Sequence, residues 1–182
     1  MELHKGTPEN LEGRQEKEVK SYQFLDEIGV EFWQIDHEEA STMEACEAVD
    51  RALNATICKN LFLCNRQETN FYLLMMPGDK TFKTKDLSAQ IGSARLSFAK
   101  PEHMLKYLNI TPGSVSVLGL LFDTEKKVQL LVDKEVLEGD MIGCHPCVNT
   151  ASLKMKTTDM FGKVVKALGH EPQVIELPRY EA

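Results

Sequence analysis

Two apolar runs, Ile57–Cys64 and Asn70–Met76, flank the polar stretch Asn65-Arg66-Gln67-Glu68-Thr69. Runs of that length on either side of a short polar turn read as two strands of a β-hairpin. A lone hairpin is marginal in water, so the rest of the chain must supply further strands and covering helices.

The flanking segments supply both, in no regular alternation. Val19, Tyr22, Phe24, Leu25 and Ile28 recur at helical spacing up to Gly29, which suits a helix end because it tolerates positive φ. Val30–Ile35 reads as a strand, and Ser41 with Glu44 forms a capping-box pattern that starts a helix running to about Leu53. Pro77-Gly78-Asp79 is a turn; a short helix over Lys85–Ile91, a strand at Leu96–Phe98 and a helix over Pro101–Leu108 follow. Beyond the turn Thr111-Pro112-Gly113, Ser114–Phe122 and Lys127–Val132 read as two more strands. Met141–Cys144 runs into the loop His145–Thr150, Ser152–Met155 is extended, Thr157-Thr158-Asp159 can cap a helix ending near Gly169, and Val174–Leu177 is the last strand. Residues 1–15 are polar, with Gly6, Pro8 and Gly13, and are expected to be a mobile tail, leaving 16–182 as one domain. Hairpins mixed with crossover helices predict an α/β (α+β) fold: a mixed, largely antiparallel sheet or barrel-like sheet with surrounding helices.

Composition narrows function by exclusion. A net charge of −7 argues against a general nucleic-acid binder and against DNA, because phosphate contacts need basic side chains. Its distribution is uneven: residues 51–106 hold 9 basic and 4 acidic side chains, a local surplus able to hold one end of an RNA. No apolar run approaches the roughly 18 to 20 residues that span a bilayer. The N-terminal stretch also has no apolar signal region, so a cytoplasmic protein with no membrane partner is expected. The 5 cysteines are an odd number, which favours free thiols over a disulfide framework.

Few residues offer chemistry on their own. Cys144-His145-Pro146-Cys147 has redox or zinc spacing, but no second C-x-x-C or H-x-x-x-H completes a metal site, and no metal or cofactor is expected. Lys59 interrupts an apolar strand, where alternation puts it on the face of Ile57, Leu61 and Leu63; it needs a partner, a ligand, or a route to solvent. His37 and His145 are the interior histidines. No G-x-S-x-G elbow, phosphate-binding loop or dinucleotide fingerprint is present.

Five collinear segments change the weight of these residues. They are Asp36-His37 … Ser41-Thr42-Met43-Glu44-Ala45, Lys59-Asn60-Leu61-Phe62-Leu63, Leu96-Ser97-Phe98-Ala99, Pro112-Gly113-Ser114-Val115, and Gly143-Cys144-His145-Pro146 … Asn149-Thr150-Ala151-Ser152. Together, over roughly residues 20 to 178, the chain resembles the YbaK and prolyl-tRNA synthetase-associated domain family, above all its free-standing alanyl-tRNA(Pro) deacylases of the PrdX or ProX type. Val117, where relatives often have proline, and Cys144 and Cys147 depart from the family pattern.

The resemblance implies a YbaK-like fold and hydrolysis of the ester of a mischarged tRNA, Ala-tRNA(Pro) first, with a Cys- or Ser-tRNA deacylase and a non-catalytic tRNA-binding module as alternatives. It implies the acceptor end of tRNA(Pro) as partner, with prolyl-tRNA synthetase as a further candidate. By the same resemblance Lys59, Asn60, Gly143 and His145 are the catalytic candidates, and His37, Thr42, Met43, Pro146 and Asn149 the substrate-binding ones. Lys59 would orient the acyl-adenosine end or its phosphate, and Lys59→Ala is expected to nearly abolish hydrolysis.

Overall fold

The computed structural model describes residues 1–39, 42–55 and 58–180. Its central strand is β4 (Phe71–Pro77), every residue of which is buried. A strand covered on both faces reads as one continuous apolar run, and β4 does. Phe71, Leu73 and Met75 enter the larger core, while Tyr72, Leu74 and Met76 enter a smaller one on the opposite face.

β4 pairs antiparallel with β3 (Cys58–Asn65) as the expected hairpin, and parallel with β6 (Val128–Asp133). β5 (Leu96–Phe98) and β9 (Gln173–Ile175) complete a five-stranded mixed sheet in the order β5-β3-β4-β6-β9. The second sheet is antiparallel throughout: β1 (Leu3–Lys5), β2 (Phe32–Asp36), β8 (Ala151–Lys156) and β7 (Met141–Cys144), in that order. The larger core joins the two sheets: Phe32, Ile142, Leu153 and Met155 from one meet Phe62, Leu73 and Leu130 from the other. The fold is therefore mixed α/β with two separate sheets and no closed barrel among the described residues.

Helices cover the remaining faces. α1 (Glu16–Ile28) buries Tyr22 and Leu25 and ends at Gly29, whose φ of 73° is the left-handed conformation glycine permits. α2 (Met43–Leu53) is capped by Thr42, whose side chain accepts from the Ala45 amide; the expected cap Ser41 lies outside the described residues, as does Ile57. α3 (Thr84–Ile91) places Leu87 on the smaller core, and α4 (Pro101–Leu108) places Met104 and Leu108 on the larger. A last helical stretch runs from Thr157 to Ala167 through a π-helical turn over Met160–Val164.

One expectation, the strand over Ser114–Phe122, is corrected. Val117–Phe122 is a 3-10 helix, not a strand: Ser116 Oγ accepts from the Leu118 amide and starts the turn. A fully buried apolar run has no periodicity to separate the two conformations. Fold-forming contacts also begin before Glu16. β1 adds an edge strand to β2, Gly6 N–H donates to Phe32 O, and Arg14 makes a two-pronged contact with the Asp36 carboxylate at 2.8 and 2.7 Å. A three-residue exposed strand carries no apolar pattern by which sequence could reveal it.

Candidate functional site

Both sheets and α2 contribute walls to a cavity of about 150 Å³, small beside the roughly 300 to 1,000 Å³ of pockets that hold drug-sized ligands. α2 presents Cys46, Val49, Asp50 and Leu53, positions that recur on one helical face. From β3 come Cys58 and Asn60, two residues apart and so on the same side of the strand. β7 gives Gly143 and Cys144, the following loop His145 and Asn149, and β8 Ser152. His37 just after β2, Ala55 after α2 and Gly113 in the turn beyond α4 close the wall. Gly143 leaves little room beside α2: a Cβ there would stand 3.0 Å from Leu53 Cδ2.

Hydrogen bonds fix the two imidazoles. A carbonyl only accepts, so His145 Nδ1 must donate to Ala151 O at 2.9 Å, which leaves Nε2 as the basic nitrogen of a neutral ring. Burial pushes the His145 pKa below its ordinary value; the Ala151 carbonyl opposes this, and nearby His37 adds to it. The two rings lie 6.4 Å apart. His37 Nδ1 likewise donates to Glu38 O at 2.8 Å, so neutral His37 accepts from the Ser152 hydroxyl at Nε2, 2.9 Å away.

Two further groups have unmet demands. Asn60 Oδ1 is buried and accepts no hydrogen bond. Burial, and after it Glu47, raises the Asp50 pKa. The thiols are quiet by comparison. Burial pushes Cys58 and Cys144 each up to about 12 and Cys147 to about 11, so all three stay protonated at neutral pH. Cys147 points elsewhere, its Sγ lying 3.6 Å from Ser21 Oγ. Such a site suits orienting a water or a small polar group better than thiolate attack.

Of the residues singled out in the sequence, Asn60, Gly143, His145, His37 and Asn149 share this cavity. Lys59 does not line it. As the neighbour of Asn60 it faces the other side of β3, and its Nζ donates to Lys80 O at 2.7 Å. Lys80 is itself anchored by a buried ion pair with Asp133 at 2.8 Å. Thr42 is an exposed helix cap, Pro146 is buried off the wall, and Met43 opens α2 with its side chain outside the described residues. Asp50, Leu53, Cys58, Gly113 and Ser152 were not identifiable as site residues from sequence. Gly113 and Ser152 do lie in segments that carry the family resemblance, though nothing there gave them a role, and for Asp50 and Leu53 the signal is their recurrence with Cys46 and Val49 on one face of α2.

Comparison with known proteins is consistent with this geometry. The family described as "Aminoacyl-tRNA editing domain" matches residues 37–162. The prolyl-tRNA editing protein ProX of Acetoanaerobium sticklandii is 35% identical over 153 residues, 84% of this chain and 93% of that protein. The prolyl-tRNA synthetase associated domain-containing protein 1 of Mus musculus is 31% identical over 145 residues, 78% of this chain and 85% of its own. A crystal structure described as that of a candidate trans-editing enzyme for prolyl tRNA synthetase shares the fold, with a TM-score of 0.67 at 14% identity over 91% of this chain and 99% of the other.

Proposed function

Because the chain belongs to the aminoacyl-tRNA editing domain family, we propose that its cavity hydrolyses the ester joining a small amino acid, alanine first, to the terminal adenosine of a mischarged tRNA(Pro). Carrying this reading is Asn60 Oδ1, an unpartnered acceptor at the wall of a cavity shared with a neutral histidine. That atom accepts a hydrogen bond from the attacking water and aims its lone pair at the ester carbonyl. His145 Nε2 takes the water's proton as the C–O bond forms and returns it to the departing ribose oxygen. Backbone N–H groups of the Gly143–Asn149 loop stabilise the oxyanion, so no covalent nucleophile is required.

Size supports alanine. A cavity of about 150 Å³, narrowed where Leu53 meets Gly143, favours a one-carbon side chain over the proline ring. One methylene is worth only about 1 to 3 kcal/mol of discrimination, which is why a second, excluding site is useful after a synthetase has erred. The thiols of Cys58 and Cys144 in the wall favour, as a second reading, a seryl or cysteinyl ester. Lys59, outside the cavity and without a carboxylate partner among the described residues, meets a phosphate of the acceptor end, and the setting for this chemistry is the cytoplasm.

Release of labelled alanine from Ala-tRNA(Pro) tests the assignment. Asn60→Ala is expected to lower kcat on the order of 100-fold with KM little changed, whereas Lys59→Ala chiefly raises KM. Wild-type kcat in Asn60→Ala would remove Asn60 from the mechanism; a loss confined to kcat in Lys59→Ala would place Lys59 at the ester instead.

A further inference from the structure

Of the four α2 side chains at the cavity wall, three are apolar or thiol and the fourth is a carboxylate, Asp50. Among the described residues that carboxylate makes no ion pair and no side-chain hydrogen bond; the contact at this residue is its backbone carbonyl, which accepts from Asn54 N–H. The adjacent cation, Arg51, is exposed. Asp50 also sits in the last turn of α2, where the negative end of the helix dipole favours cations and disfavours a carboxylate. A half-buried acid placed there, with its pKa raised by burial and by Glu47, calls for a positive ligand.

The ester that the proposed function brings to this cavity carries one. Its α-ammonium group is attached to the carbon next to the scissile carbonyl. We propose that Asp50 binds the α-ammonium group of the aminoacyl ester and so restricts the site to esters of free, unacylated amino acids. This rests on the deacylase reading and deepens it. Asp50 grips the amino group from the helix side, which leaves the carbonyl to Asn60 and the His145 loop. Esters whose amino group is acylated, as in a peptidyl or formylated chain, lose the charge that Asp50 recognises.

Binding of the non-hydrolysable amide analogue of 3′-alanyl-adenosine, with a free or an N-acetylated amino group, tests the proposal by titration calorimetry. Wild-type protein is expected to bind the free amine at least about tenfold more tightly, the scale of one charge-assisted hydrogen bond. In Asp50→Asn that ratio should collapse toward one through weaker binding of the free amine, with the acetylated analogue unaffected. Asp50→Ser provides a second, smaller neutral side chain, and thermal melting verifies that each variant is folded. A preference preserved in both variants, or equal binding of the two analogues by wild type, overturns the assignment. Hydrolysis of Ala-tRNA(Pro) is followed separately. A wild type that shows the expected binding ratio but releases no alanine contradicts the deacylase reading and leaves the ammonium site standing.

Discussion

His145 is held as a neutral base by burial, which lowers its pKa against the opposing pull of the Ala151 carbonyl. Its ordinary value is 6.5, so the folded-state pKa lies below that. The neutral ring, the form that the proposed general-base role requires, is present above the folded pKa. The kcat/KM profile for ester hydrolysis is therefore expected to be level near neutrality and to fall only below pH 6.5. The same shift acts on stability. Between the two pKa values the unfolded chain binds the proton that the folded chain refuses, so stability drops as pH falls through 6.5 toward the folded value. A His145→Gln variant should lose the acid limb along with most activity; a limb that persists unchanged assigns it to another group. At this scale Asn60 and His145 are legible only through their resemblance to the family, because a lone asparagine in a strand and a lone histidine in a loop carry no pattern. Lys59 illustrates the limit of adjacency. Sequence neighbours in a strand point to opposite faces, and the lysine that accompanies Asn60 stands on Lys80 O instead of in the cavity.

At the scale of elements, the 3-10 helix Val117–Phe122 shows what apolar patterning leaves undetermined. Val117, Leu118, Gly119 and Leu120 are all buried, so neither a period of two nor one near three is visible in the sequence. Gly119 holds this element against α4: a Cβ there would meet Ile110 Cδ1 at 2.7 Å and Leu108 Cβ at 3.0 Å. Gly119→Ala should destabilise the fold by about 1 to 3 kcal/mol through overpacking, read as a lower urea midpoint with an unchanged m-value. An unchanged midpoint would mean that Ile110 moves aside freely. The β3–β4 hairpin, α1 and α4 are legible because each has a boundary with a physical cause: a polar turn, Gly29 in the left-handed region, and Pro101 at the helix start. β1 is not legible, since an exposed edge strand is held by backbone pairing to β2 and by nothing its side chains advertise.

In the whole molecule, the cavity draws on both sheets: Asn60 comes from one, His145 and Ser152 from a strand end and a strand of the other, and α2 supplies the remaining wall. The larger core that joins the sheets thereby sets the spacing between the Asn60 amide and the His145 imidazole. Sequence alone conveys a mixed sheet but not this division into two, because strand order depends on pairings between segments as remote as β2 and β8. No described helix is long and apolar enough to cross a membrane. Whether the cavity accepts alanyl esters and excludes prolyl ones is read from deacylation of Ala-tRNA(Pro) and correctly charged Pro-tRNA(Pro) side by side under single-turnover conditions. Catalysed release of alanine is expected, with prolyl ester lost at the uncatalysed rate; equal hydrolysis of both, or of neither, would rule out an alanyl-selective deacylase.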